Sequence, residues 1–149
     1  MVFTPDVIVT TDYSPATIAL VAEAKGVTAS LDEAALHLKR YMLQMGCAVG
    51  IIFTPQILRI YKDRFIDRSE DSIELVGDFP SAELFKAGPP VAGAGSAVES
   101  SLIQWLDELA HTGNVRVGDS RLKSAIDEHI LPAISGGRVS IAHPSTIER

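Results

Sequence analysis

Three residues near the start of the chain have the types and spacing for metal and acid–base chemistry: Asp6, Glu23 and Lys25, within TPDVIVTTDYSPATIALVAEAK. Two carboxylates brought together repel, which raises the pKa of one of them unless a cation sits between. Mg²⁺ or Mn²⁺ suits such a pair, because a hard ion takes oxygen ligands and keeps waters and substrate phosphate oxygens in its shell. Lys25 would then lie beside that shell, placed to orient or deprotonate an attacking water or to stabilise charge building on a phosphate. The expected chemistry is in-line hydrolysis of a phosphodiester by water.

These side chains meet only if the backbone brings them together. Val7-Ile8-Val9 is one β-branched run and Thr17 to Ala22 is another, with the turn residues Ser14-Pro15 between them, which predicts an antiparallel hairpin. A turn centred on Ser14 and Pro15 makes paired residue numbers sum to 29, so Asp6 falls across from Glu23 on one face. Lys25 shares that face, since side chains alternate with period two. Asp12 would face Thr17, roughly 20 Å from Glu23 at about 3.3 Å per residue. Only Asp6 can therefore share a site with Glu23.

Pro5-Asp6 followed by Glu23-Ala24-Lys25 resembles the PD-(D/E)xK nuclease superfamily, in particular the N-terminal nuclease domain of type I restriction enzyme motor subunits. The likeness runs over roughly the first 65 residues. It implies a restriction-endonuclease-like α/β fold with a ββαββ core and a mixed sheet, and a Mg²⁺- or Mn²⁺-dependent nuclease acting on nucleic acid, DNA first among candidates. It also implies Asp6 and Glu23 as metal ligands, the Ala24 carbonyl as a further ligand, and Lys25 as the catalytic amine. The family's Q-x-x-x-Y element maps onto His37 and Tyr41 in HLKRY; the tyrosine fits and the histidine departs. Many members carry a helix ahead of the PD strand. Only four residues precede Pro5 here, so that helix is expected to be missing or to come from elsewhere. No helicase motor segments are visible, which leaves a nuclease-like module, acting as a homodimer or with a partner subunit. The competing expectation is a catalytically inactive member of the same fold that binds protein or nucleic acid.

The remaining sequence sets the frame. With 149 residues, 46% apolar and 21% charged, the chain can bury a proper core as one domain. The lone Cys47 rules out an internal disulfide framework and points to a reducing compartment. No apolar run reaches the about 18 residues of a membrane span, and no basic leader precedes the first strand, so a cytoplasmic location without membrane attachment is expected. Net charge is −6 and the pI is near 5.1, which argues against tight, free-standing DNA binding. Lys39, Arg40, Arg59, Lys62, Arg64 and Arg68 cluster after the motif. They would make either a local basic face or solvated charges balanced by Asp32, Glu33, Asp63 and Asp67.

Residues 1–87 form the expected nuclease-like core. Ser30-Leu31-Asp32-Glu33 reads as a capping box, Leu31, Ala35, Leu38, Met42 and Met45 recur at helical spacing, and Gly46 ends the helix. His37 and Tyr41 share one flank of that stripe, at i and i+4. Cys47 to Thr54 reads as a strand buried on both faces, Gln56 to Lys62 as an amphipathic one, Ser72 to Val76 as a weak strand and Ser81 to Lys86 as a short helix. Residues 88–96, with Gly88-Pro89-Pro90 and Ala92 to Ser96, read as a linker. Their glycines lack the pattern of a phosphate-binding loop. Residues 97–149 form a helical extension on the same domain: Val98, Leu102, Trp105, Leu106 and Leu109 mark one helix, and Leu122, Ala125, Ile126, His129 and Ile130 a second that ends at Pro132. Trp105 reads as the anchor of this pair, and Arg138 to Ala142 as a last strand. His111, His129 and His143 lack metal-ligand spacing.

Overall fold

The structure, a computed structural model, describes residues 5–11, 17–26, 31–90 and 95–141. Six strands form one mixed sheet: β1 (Val7–Thr10), β2 (Ile18–Ala24), β3 (Val49–Phe53), β4 (Ile57–Asp63), β5 (Ile73–Pro80) and β6 (Arg138–Ile141), in the spatial order β5-β4-β3-β2-β1-β6. β2 and β3 run parallel, joined through helix α1 (Asp32–Met45), and every other neighbouring pair is antiparallel.

Composition explains this arrangement. The central strand β3 is VGIIF and all five of its residues are buried, as expected where helices cover both faces of a sheet. On one side, α1 packs Leu38 and Met42 over Val21 and Ile52. On the other, α2 (Gly95–Thr112) lays Val98, Leu102, Leu106 and Leu109 over Leu20, Ile51 and Phe53. At Gly50 the approach of α1 is close: an added Cβ would lie 2.6 Å from Met42 Sδ. Glycine in that strand is what lets the helix sit down on the sheet.

The hairpin register agrees with the sequence over three pairs, Val7↔Ala22, Ile8↔Val21 and Val9↔Leu20, and then slips by one at Thr10↔Ile18 through a bulge. Helix α1 ends where expected, with Gly46 in the left-handed region at φ 68° donating its N–H to the Met42 carbonyl. Its N-cap position is Leu31, without a side-chain cap, one residue later than the capping box implied. Met45, placed in the apolar stripe, is instead 47% exposed, at the last position of the helix. The Ser14-Pro15 turn, Asp12, Ser30, the linker positions 91–94, Ala142 and His143 lie outside the described residues.

Other boundaries move further. The weak strand is longer than expected and runs from Ile73 to Pro80, because the β4 edge offers it backbone partners along its full length. The short helix after it is a single 3-10 turn, Ala82–Leu84. Gly95 and Ser96 belong to the first turn of α2, not to a linker. The second C-terminal helix does not stop at Pro132. α3 (Ser120–Ala125) passes through a π-helical turn at Ile126–Ile130 into α4 (Leu131–Ile134), where Pro132 sits in the first turn. Proline lacks only an N–H that a first turn leaves unpaired anyway. β6 then pairs with β1, so the last described strand joins the same sheet beside the first.

Candidate functional site

Asp6, Glu23, Ala24 and Lys25 come together at the carboxyl end of β2, beside the carboxyl end of the parallel strand β3. The Val7↔Ala22 register carried one residue outward sets Asp6 against Glu23. Two hydrogen bonds fix the pair: the Asp6 N–H donates to Glu23 Oε1 at 3.2 Å, and the Ala24 N–H donates to Asp6 Oδ2 at 2.8 Å. Lys25 Nζ lies 3.5 Å from Glu23 Oε2. Val21, two residues before Glu23, packs in the core cluster beneath α1, so period-two alternation puts Glu23 on the face that α1 covers.

Glu23 is 6% exposed, an unusual position for a carboxylate. Burial first, and then the neighbouring Asp6 carboxylate, push its carboxyl up to about 7, while the Lys25 amine pulls the other way. The Lys25 N–H donates to the Phe53 carbonyl at 2.9 Å, which ties the ExK segment to β3. The end of β3 is itself locked by Thr54, whose hydroxyl accepts the N–H groups of Gln56 and Ile57 and whose carbonyl accepts the Ser81 hydroxyl at 2.6 Å. Thr54 and Ser81 are fully buried. Their positioning role was not read from the sequence.

His37 and Tyr41 both lie half-buried on α1, on the same side of the sheet as the pair. Tyr41 packs against the cluster that holds Val21, Met42 and Cys47, and burial, then Cys47, push its phenol upward. Cys47 precedes β3, whereas Glu23 pairs with Ile52 near the other end of that strand. Tyr41 therefore supports the core toward the start of β3. Cys47 is buried and its thiol is pushed up to about 11 by burial, which makes it a core residue and not a nucleophile. Several of the basic residues that follow the motif are paired. Arg59 makes a forked pair with Asp78 at 2.7 and 2.9 Å, Arg40 meets Glu70 at 3.2 Å, and Arg64 donates to the Asp71 carbonyl. Their hydrogen-bond partners lie outside the four acids expected from the sequence, although the Arg64 charge also acts on Asp67, whose carboxyl is held below its usual range by Ser69 first and by Arg64 in lesser part.

The donor set fits a hard divalent ion. It offers two carboxylates from adjacent strands and the Ala24 main chain, and while burial is the main cause of the raised Glu23 pKa, the Asp6 charge that adds to it is one that bound Mg²⁺ or Mn²⁺ would offset. Among the described residues no group of three or more His, Cys, Asp and Glu side chains forms a metal cage. An ion held here would complete its shell with water and substrate oxygens, the usual arrangement for Mg²⁺. Among the described residues, too, no helix is long and apolar enough to cross a membrane. No family model, curated protein or solved structure matches this chain.

Proposed function

We propose that this chain is a metal-dependent nuclease of the PD-(D/E)xK type, hydrolysing phosphodiester bonds of nucleic acid, with DNA as the first substrate to test. One observation carries the reading: a buried Glu23 and a half-buried Asp6, each bonded to the backbone of the other's strand, with the Lys25 amine 3.5 Å from Glu23. The element order β1-β2-α1-β3-β4 with β2 and β3 parallel supports it, because the superfamily's scaffold has that order.

Asp6, Glu23 and the Ala24 carbonyl would hold Mg²⁺ or Mn²⁺, which when bound supplies Lewis-acid stabilisation of the phosphate. Lys25 does the rest from the chain's side. Its ammonium group faces charge that grows on the phosphate during in-line attack, or in its neutral form accepts a proton from the attacking water. The Thr54 turn and the backbone bond from the Lys25 N–H to the Phe53 carbonyl hold the main chain that carries the amine, and the amine itself meets Glu23 at 3.5 Å. With a net charge of −6, capture of long duplex falls to a second copy or a partner subunit. The lone, buried Cys47 suits a reducing compartment, and we assign the protein to the cytoplasm on that basis.

The test is to incubate the chain with plasmid, single-stranded and branched DNA and with RNA in Mn²⁺, beside a Glu23→Ala variant. The expected result is cleavage of at least one substrate and saturable Mn²⁺ binding by the wild type, both lost in the variant. The acidic surface favours a second reading, a catalytically inactive module of the same fold. Mn²⁺ binding without cleavage of any substrate would select it, and absence of both would remove the metal site altogether.

A further inference from the structure

Across the sheet from the carboxylate pair, a cavity of about 290 Å³ opens between α2, the Ala82–Leu84 turn and the segment that joins α2 to α3. Its base is apolar, with Leu84, Leu109 and Ile126 buried and Trp105 half-buried beside them. Trp105 is held in place by stacking on Phe53, centroids 5.8 Å apart at 11°.

The walls are pinned by two polar clamps between elements distant in sequence. The Glu83 carboxylate accepts the N–H of Gly118 at 2.7 Å and of Asp119 at 3.3 Å, and Lys86 Nζ meets Glu108 at 3.0 Å. These contacts engage three of the four charged side chains around the opening. The fourth, Arg116, has no hydrogen bond or ion pair of its side chain among the described residues. The result is a preformed hollow with an apolar base and a polar rim, where among the described residues the Arg116 guanidinium is uncommitted, the usual make-up of a small-molecule site.

We propose that this cavity binds a small aromatic carboxylate. An apolar cavity of about 150 Å³ accommodates a benzene ring, so 290 Å³ takes a ring and a short arm. Trp105 offers the ring an aromatic neighbour. The planar fork of Arg116 matches a carboxylate with two parallel N–H···O bonds, which a neutral amide cannot match in strength.

The chain contains a single tryptophan and that tryptophan lines the cavity, so its emission reports occupancy directly. The intact chain is titrated with phenylacetate, 3-phenylpropionate and the neutral control phenylacetamide, following fluorescence and, in parallel, heat of binding. The expected result is saturable binding of at least one carboxylate with a Kd of about 1 mM or tighter. The amide should bind at least about tenfold more weakly, the difference that one charge-assisted contact makes. Arg116 is exposed, so Arg116→Ala should fold normally, lose about tenfold in carboxylate affinity and leave the amide unchanged, with Arg116→Lys in between. Absence of saturable binding for both carboxylates, equal affinity for the amide, or an Arg116→Ala chain that binds as the wild type does would each overturn the assignment.

Discussion

Glu23 Oε1 accepts the backbone N–H of Asp6 at 3.2 Å, while Asp6 Oδ2 accepts the N–H that follows Glu23 in the chain, that of Ala24, at 2.8 Å. Each carboxylate is thus fixed by the other's strand, so the spacing between them does not rely on any bound group. A hydrogen bond from a backbone N–H favours the ionised form of a carboxylate. Glu23 nevertheless titrates near 7, because burial and the Asp6 charge outweigh both that bond and Lys25. The backbone bonds hold the pair together in spite of its own electrostatics.

The first prediction follows from that balance. The Glu23 carboxyl is raised from 4.5 to about 7 in the folded chain, so between these values the folded state holds a proton that the unfolded state has released. Stability contributed by the protonated form is complete below about pH 4.5 and is lost as pH rises through about 7. Urea unfolding without divalent metal should therefore show stability falling from pH 5 to pH 8, by on the order of 2 kcal/mol. Glu23→Gln should flatten that slope, and Mg²⁺ should restore stability on the alkaline side only. A Glu23→Gln chain with an unchanged pH profile would mean that the carboxyl titrates normally.

Much of this site was legible in the residues. Period-two alternation and the burial of one face set Asp6 against Glu23, while Thr10↔Ile18 is one residue off the register that a turn centred on Ser14 and Pro15 implies, and a bulge restores it. Residues Val7, Val9, Leu20 and Ala22 enforce that choice by facing a common core. What was not legible depends on contacts far apart in sequence. Tyr41 lies at helical spacing from His37, yet its distance from Glu23 depends on where α1 crosses the sheet, which is set in part by Gly50. The continuation past Pro132 likewise rests on a π-helical turn at Ile126–Ile130 that no local propensity announces. The length of β5 came from its partner strand and not from its own composition, as is usual for strands.

A second prediction concerns the loop between β4 and β5. Phe65 is 62% exposed and holds φ 56°, a left-handed conformation that costs a bulky residue roughly 1–2 kcal/mol. It is held there by Asp63, whose Oδ1 accepts the Phe65 N–H at 2.8 Å and the buried Ser72 hydroxyl at 2.6 Å. Phe65→Gly should leave the chain as stable or up to about 1 kcal/mol more stable, since glycine adopts this backbone freely. Asp63→Ala should cost about 1–3 kcal/mol by stranding both donors. Chemical denaturation of the two variants checks the pair, and a destabilised Phe65→Gly would show that the side chain packs in solution.

A third prediction tests how closely α1 sits on the sheet. The Cβ of Gly50→Ala would meet Met42 Sδ at 2.6 Å and Leu38 at 3.2 Å. Overpacking of that kind costs typically 1–3 kcal/mol. Because the strain is relieved through Met42, combining Gly50→Ala with Met42→Ala should cost clearly less than the sum of the single changes. Additive losses in a double-mutant cycle would place the clash elsewhere.

The last prediction separates catalysis from binding at Lys25. If its amine acts on charge that develops only in the transition state, Lys25→Ala should abolish detectable cleavage while Mn²⁺ affinity stays the same or improves. Removing a cation 3.5 Å from Glu23 cannot weaken the hold of two carboxylates on a metal ion. Loss of one such donor costs on the order of 10² to 10³ in rate, about 3–4 kcal/mol, which a plasmid-nicking time course resolves. Glu23→Ala should lose metal and cleavage together, so the two variants must differ in the binding titration even where both are inactive. The Lys25 side chain is 42% exposed, so its removal should leave the fold intact, and unfolding curves serve as the control. A Lys25→Ala chain that nicks plasmid at the wild-type rate would take the amine out of the mechanism and reduce its place beside Glu23 to a surface ion pair.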